Sequence, residues 1–176
     1  MQLKIHSKTS SAVLLCTALA MTAASASAMV IETSQFAFDA DPATLTATLT
    51  EPMTNLRGHI IVPETVTGSD GTVYTVTAIA PEALSNLGHL EILDLPAGIQ
   101  TLGSKAFANC LNLTETNIPD GVRTVPVDLY QGCSSLTQLT VGSGLTEMPD
   151  GFLSGKTNLN TLIFSDSDDP IKRRAY

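Results

Sequence analysis

Apolar residues recur through the middle of the chain with a period of 23 residues. From Thr77 onward, four segments align without a gap, at 77–99, 100–122, 123–145 and 146–168. A fixed period of this length is typical of repeat proteins, in which one unit cannot bury its apolar face alone and stacks on its neighbours. We therefore predict a solenoid over residues 77–168, and we number the positions of each unit from 1 to 23.

Six positions of the unit are apolar in nearly every copy. Positions 14, 17 and 19 give the L-x-x-L-x-L spacing of leucine-rich repeats, and positions 3, 8 and 23 are apolar as well. The alternation at positions 17 and 19 predicts a short strand with these side chains directed inward. Thr116 stands at position 17 of the second unit, and Asp168 is the exception at position 23.

Positions 16 and 18 then point away from the core, and we predict that they form the binding face. Their side chains are mixed polar and aliphatic and are not strongly charged. They are Ile92, Asp94, Glu115, Asn117, Gln138, Thr140, Thr161 and Ile163. Stacked units would present them as an extended, pre-ordered surface for a protein ligand.

Turn residues separate the predicted strands. Position 22 is glycine in three units (Gly98, Gly121 and Gly144), which allows a positive φ after the strand. Position 20 is proline in the first two units (Pro96 and Pro119), and proline ends the backbone hydrogen bonding between neighbouring strands. Asn or Gly at position 10 closes a short helix in the left-handed conformation, so positions 5–9 are predicted as a helical turn. The predicted fold is therefore an α/β solenoid, with strands on one face and short helical turns on the other.

Residues 29–76 do not fit the full unit. Threonine alternates with apolar residues over 43–50, which predicts a two-faced strand, and Phe36 and Phe38 suggest a partner strand across a turn at 39–42. Residues 59–63 resemble the strand end of a unit with Pro63 at position 20, and 68–71 predict a hairpin turn into 73–76. We interpret this region as an N-terminal β cap with a degenerate first repeat.

Residues 1–28 have the features of a secretory signal peptide. Lys4 and Lys8 precede a short apolar run at 12–21, and Ala26-Ser27-Ala28 forms a small-residue cleavage site. The run is too short to cross a bilayer, and no later segment is long and apolar enough to do so. We therefore expect an exported protein, secreted or at the cell surface, without a transmembrane segment once the signal is removed.

The period continues to the end of the sequence. Residues 169–176 correspond to the start of an incomplete fifth unit, with Ile171 at position 3 and Tyr176 at position 8. We expect either that the chain is a truncated part of a longer protein or that a partner covers the strand edge near 161–164. A second functional hypothesis follows, in which the protein is a structural or assembly component that associates with itself or another chain through this edge.

Charge and residue chemistry narrow the function further. The 17 acidic and 9 basic residues give a net charge of -8, which argues against nucleic-acid binding. The histidines and serines form no metal, nucleophile or phosphate motif, so we expect no enzyme, metal or cofactor. Cys110 and Cys133 share one column, which leaves two alternatives: buried thiols, or a disulfide between adjacent units.

One known family shares this column pattern. The matching residues in the second unit are Ala106, Phe107, Asn109, Cys110, Leu113, Ile118, Pro119, Gly121 and Val122, and Cys133 matches again in the third. The chain resembles the BspA-like leucine-rich repeat proteins over roughly residues 30–176, although Lys156 replaces the column's cysteine in the fourth unit. The resemblance implies an exported adhesion or recognition protein whose ligand is a protein. Some members of the family bind proteins of the host extracellular matrix. It implies no particular binding residues.

Overall fold

The computed structural model describes residues 29–165, so the predicted signal peptide and the start of the fifth unit lie outside the described residues. Within 29–165 the chain forms eleven strands and no helix. The strands are β1 (Met29–Glu32), β2 (Phe36–Asp41), β3 (Thr46–Pro52), β4 (Gly58–Ile61), β5 (Thr65–Thr67), β6 (Val73–Ile79), β7 (Leu90–Asp94), β8 (Thr101–Leu102), β9 (Glu115–Ile118), β10 (Gln138–Val141) and β11 (Thr161–Phe164).

Five strands, one from each successive coil, form a parallel sheet in the order β4, β7, β9, β10, β11. The register keeps equivalent unit positions side by side. Gln138, for example, pairs with Glu115 on one side and with Thr161 on the other. A parallel ladder that advances by one unit per strand is the stacking that a solenoid requires. The solenoid predicted from the period is therefore present.

The N-terminal strands form a second, mixed sheet in the order β1, β2, β3, β6, β5, with β8 also paired to β6. In β3, Ala47 and Leu49 are buried and the alternating threonines are partly exposed, as the two-faced pattern predicts. The strand begins later than expected, because Ala43 and Leu45 lie in an exposed turn where Leu45 has a φ of 56°. Side chains of this sheet belong to the same apolar cluster as the coils, so it shares their core.

The predicted inward columns form the core of the first three units. At positions 8, 14, 17, 19 and 23 of these units the side chains are almost fully buried. Thr116 is the one buried side chain in these columns that is neither aliphatic nor aromatic. In the fourth unit, Leu153, Leu159, Leu162 and Phe164 are only partly buried, because no described coil lies beyond β11.

The predicted helical turns are wrong. Positions 5–10 form a series of tight turns in which alternate N–H groups bond to the next coil rather than along a helix. The N–H of Leu84 donates to the carbonyl of Ala106 and that of Asn86 to the carbonyl of Ala108, both at 2.8 Å. The residue at position 10 has a left-handed backbone conformation in every unit, as predicted. The residue at position 6 has it as well in three units. Two left-handed residues only four positions apart interrupt any helix. The left-handed residues are Glu82, Asn86, Lys105, Asn109, Gly132, Gly151 and Gly155.

The reason predicted for glycine at position 22 is also wrong. Gly98, Gly121 and Gly144 do not have a positive φ. Instead, the backbones of successive coils approach closely here. A Cβ atom added to Gly121 would lie 2.5 Å from the carbonyl oxygen of Ile99 in the preceding coil, and one added to Gly144 would overlap the carbonyl of Asp120. The column therefore reflects backbone contact between coils.

Polar side chains also tie the coils together. The hydroxyl of Thr137 donates to the carbonyl of Thr114, one unit earlier, at 3.0 Å. Asp120 accepts hydrogen bonds from the N–H of Ser143 at 2.8 Å and from the hydroxyl of Ser165 at 3.0 Å, so one carboxylate joins three coils. These bonds hold the pKa of Asp120 below its ordinary value.

Candidate functional site

The exposed face of the five-stranded sheet carries two rows of side chains. The position-16 row runs from β4 to β11 through His59, Ile92, Glu115, Gln138 and Thr161. The position-18 row runs through Ile61, Asp94, Asn117, Thr140 and Ile163. Strands about 4.8 Å apart give rows about 19 Å long. All eight residues predicted from the sequence thus lie on one continuous face, here called the sheet face.

Aliphatic side chains stand at both ends of the position-18 row. Ile61 is 63% exposed and Ile163 is 43% exposed, while Ile92 in the other row is partly exposed. Glu115 is exposed, and Gln138 and Thr140 are partly exposed between them. The sheet face can therefore offer apolar contacts at its ends and hydrogen bonds in its middle.

His59 and Ile61 belong to this face but are missing from the predicted set. They lie on β4, whose register places His59 beside Ile92 and Ile61 beside Asp94. The signal was present in the sequence, because aligning Pro63 with position 20 puts His59 at position 16 and Ile61 at position 18. The predicted set was limited to the four full units and did not extend to the degenerate first unit, whose strand β4 is the first strand of the face.

His59 and Asp94 form a contact across the first two strands of the face. The Nε2 atom of His59 lies 2.7 Å from a carboxylate oxygen of Asp94. The two side chains are 50% and 52% exposed, so about half of each stays open to a ligand. The contact fixes the orientation of both side chains and ties β4 to β7.

Asn117 has a structural role in addition to its place on the face. The N–H of Leu95 donates to Asn117 Oδ1 at 2.8 Å, and Asn117 Nδ2 donates to the carbonyl of Leu95 at 2.9 Å. The side-chain amide thus continues the pairing between coils beyond the end of β7. Its polar atoms are largely occupied, so Asn117 is a poor candidate for ligand contact among the predicted residues.

Cys110 and Cys133 are buried free thiols, so the disulfide alternative is not the state that this structure describes. Each sulfur donates to a carbonyl of the preceding coil, Cys110 to Leu84 at 3.1 Å and Cys133 to Phe107 at 3.0 Å. The neighbouring Cys133 side chain and burial together raise the pKa of Cys110. Cys110 is therefore uncharged at neutral pH and a weak nucleophile.

The turn side of the solenoid carries a shallow polar groove of about 240 Å³. Its lining includes Glu82, Lys105 and Gln131, and Asn109 Nδ2 donates to Asn86 Oδ1 at 3.1 Å along its floor. Ligand pockets are usually larger and predominantly apolar. The groove therefore ranks below the sheet face as a candidate site.

Among residues 29–165, no group of three or more His, Cys, Asp or Glu side chains could hold a metal ion. No helix in this part of the chain is long and apolar enough to span a membrane.

Comparison with known families identifies the repeat. A family profile described as a BspA-type leucine-rich repeat region matches residues 72–176 with six copies. A comparison with curated proteins finds no match.

Solved structures share the fold at low sequence identity. A leucine-rich repeat protein from Bacteroides capillosus is 20% identical, with a TM-score of 0.67 over 78% of this chain and 99% of that chain. A leucine-rich repeat protein from Bacteroides ovatus is 18% identical, with a TM-score of 0.60 over 76% of this chain and 40% of that chain. A leucine-rich cell surface protein from Faecalibacterium prausnitzii is 19% identical, with a TM-score of 0.51 over 76% of this chain and 38% of that chain. The chain thus spans about two fifths of the last two.

Proposed function

Because the chain belongs to the BspA-type leucine-rich repeat family, we propose that it is an exported protein-binding module acting at or outside the bacterial cell surface. The observation that carries this proposal is the sheet face, where two rows of side chains cross five parallel strands. The ligand is a protein, and adhesion to a host or extracellular-matrix protein is the use that the family suggests. Leucine-rich repeat proteins of this kind are interaction modules, and no catalytic family matches the chain.

The backbone geometry supports recognition by side chains. Each inner strand of the sheet pairs with a strand on both sides, so its peptide groups are satisfied within the protein. Position-16 and position-18 side chains are held in register by the coils beneath them. A pre-ordered surface loses little conformational entropy on binding, which favours affinity from a small number of contacts.

Export is supported by the sequence of the first 28 residues, with their two lysines, short apolar run and small-residue cleavage site. The Faecalibacterium prausnitzii protein that shares the fold is described as a cell surface protein. Expression of the full chain in a bacterial host tests this part of the proposal. N-terminal sequencing of exported material that begins after Ala28 would support it, and a full-length product retained in the cytoplasm would reject it.

The binding role is tested by selecting peptides from a random displayed library on the immobilised full chain. The sheet-face variant carries Ile61→Ser, Gln138→Ala and Ile163→Ser. Its matched control, Val73→Ser, Val127→Ser and Gln131→Ala, removes two exposed aliphatic side chains and one glutamine elsewhere on the surface. We expect selected peptides to lose affinity for the sheet-face variant and to keep it for the control. Peptides that bind both variants equally would remove the sheet face as the binding site.

A second candidate function is assembly through the edge of β11. The last described coil favours it, because Leu159, Leu162 and Phe164 are only partly buried whereas Leu136 in the preceding coil is fully buried. A further strand added to β11 would cover these side chains. Sedimentation of the full chain over a hundredfold range of concentration distinguishes the outcomes. Concentration-dependent association supports assembly, and a monomer at every concentration rejects it.

A further inference from the structure

In the described part of the chain, lysine and arginine side chains lie outside the sheet face. Residues 29–165 contain fourteen Asp and Glu but four Lys and Arg, namely Arg57, Lys105, Arg123 and Lys156. None of the four lies in the five strands of the sheet or in the three residues that follow β4, β7, β9 or β10. Arg57 directly precedes β4, and the other three occupy unit positions 6, 1 and 11, outside the strand.

Acidic side chains, by contrast, lie within and beside these strands. Glu91 and Asp94 lie on β7 and Glu115 on β9, and all three are exposed. Glu64 and Asp120 follow β4 and β9 and are exposed as well. In the described part of the chain, the one contact of these acids with a basic side chain is that of Asp94 with His59. The carboxylate of Glu115 in the middle of the face therefore has no cationic partner among residues 29–165.

The size of the face limits what it can hold. A row about 19 Å long matches about six residues of extended chain. Two rows of side chains offer less contact area than a standard interface between globular proteins, which buries about 800 Å² on each partner. The face fits a single polypeptide segment, with aliphatic contacts to Ile61 and Ile163 at its ends.

We propose, on the basis of the proposed function, that the sheet face binds a basic polypeptide segment that also carries aliphatic side chains. Lysine or arginine groups of the segment pair with Glu115 and with the exposed half of Asp94. Its aliphatic groups cover Ile61, Ile92 and Ile163. The excess of negative charge around the face steers such a segment toward it and repels acidic ligands.

Three labelled synthetic peptides of twelve residues test the inference by fluorescence anisotropy with the full chain. The first combines lysine and leucine, the second replaces each lysine by glutamate, and the third replaces each leucine by serine. We expect the lysine–leucine peptide to bind most tightly. Raising the salt concentration from about 0.05 M to about 0.5 M should weaken this binding, because exposed charges are screened.

Two variants with the same change in net charge separate the face from the protein's overall acidity. The face-charge variant carries Glu91→Gln, Asp94→Asn and Glu115→Gln. The control carries Glu82→Gln, Glu147→Gln and Asp150→Asn, which lie outside the sheet. We expect about tenfold weaker binding of the lysine–leucine peptide to the face-charge variant and little change for the control.

The outcomes also distinguish this inference from the proposed function. Equal weakening by both charge variants, or tighter binding of the glutamate–leucine peptide, would overturn the inference. If neutral or acidic peptides from the displayed library depend on the sheet face, the binding role stands and its basic specificity fails. If no peptide depends on the sheet face, both fail.

Discussion

Two buried hydroxyl groups, those of Thr116 and Tyr130, meet in the core of the second and third coils. Thr116 occupies a position that is leucine in the other units, and neither oxygen makes a hydrogen bond of ordinary geometry within the described residues. Burial raises the pKa of Tyr130, and the Thr116 hydroxyl opposes this rise. The two groups are therefore neighbours, and we predict that the protein is more stable without both than without either one.

The magnitude follows from the cost of a buried polar group. A hydroxyl left without a partner costs about 1–3 kcal/mol of the free energy of unfolding. Tyr130→Phe keeps the ring contacts with Phe107 and Phe152, at 5.4 and 5.8 Å between centroids, and Thr116→Val keeps the side-chain shape. Each single variant leaves one hydroxyl alone in the core. The double variant leaves none and should exceed each single variant by about 1–3 kcal/mol.

Urea unfolding followed by circular dichroism measures these differences, with the slope of each transition compared to confirm that the same surface is exposed. Thr137→Val is the control, because its hydroxyl already donates to the carbonyl of Thr114. This control should lose about 1 kcal/mol. A double variant no more stable than the single variants would refute the reasoning, and strictly additive effects would show that the two hydroxyls do not interact.

Three further predictions concern contacts between coils. Gly121→Ala should lower the free energy of unfolding by about 1–3 kcal/mol, because the added Cβ atom meets the backbone of the preceding coil. The control Gly88→Ala should change it little, because a Cβ atom there meets nothing within 4 Å. Equal melting temperatures for the two variants would contradict the close approach of the coils at Gly121. Asn117→Ala should cost about 1–3 kcal/mol through its lost bonds to the neighbouring coil, and Gln138→Ala in the same urea assay should cost less than half of that. The pKa of Asp120 is lowered, so its contribution to stability is fully present above the ordinary pKa of 3.8 and is lost as the pH falls through the lowered pKa. An Asp120→Asn variant should therefore lose less stability than the parent between about pH 5 and about pH 2, and parallel acid curves would argue against this role.

The repeat period predicted much of this architecture because it is encoded locally in every unit. Leu93, Leu139 and Val141 are buried at the columns where the alternation placed them. The same alternation placed Glu115 and Gln138 on the exposed side, where the structure has them. A pattern repeated in four units fixes which side chains face inward once the strand is recognised.

Features that depend on contacts between coils were not predictable in the same way. The N–H of Leu84 bonds to the next coil, so a segment with helix-like turn residues is not a helix. Gly121 is required by a carbonyl that lies 22 residues earlier in the chain, which no local turn rule identifies. The pairing of His59 with Asp94 depends on the register in which β4 joins β7, and the match of residues 59–63 to a degenerate unit did not predict this side-chain contact.

Chemical-shift mapping with a peptide selected on the full chain tests the central claim most directly. If the sheet face is the binding site, the largest amide and side-chain shifts should fall on Ile61, Asp94, Glu115, Gln138 and Ile163, one on each of the five strands. Asn86 and Asn109 on the turn side should stay unchanged. Shifts concentrated in the polar groove on the turn side, with the sheet face unperturbed, would contradict the account.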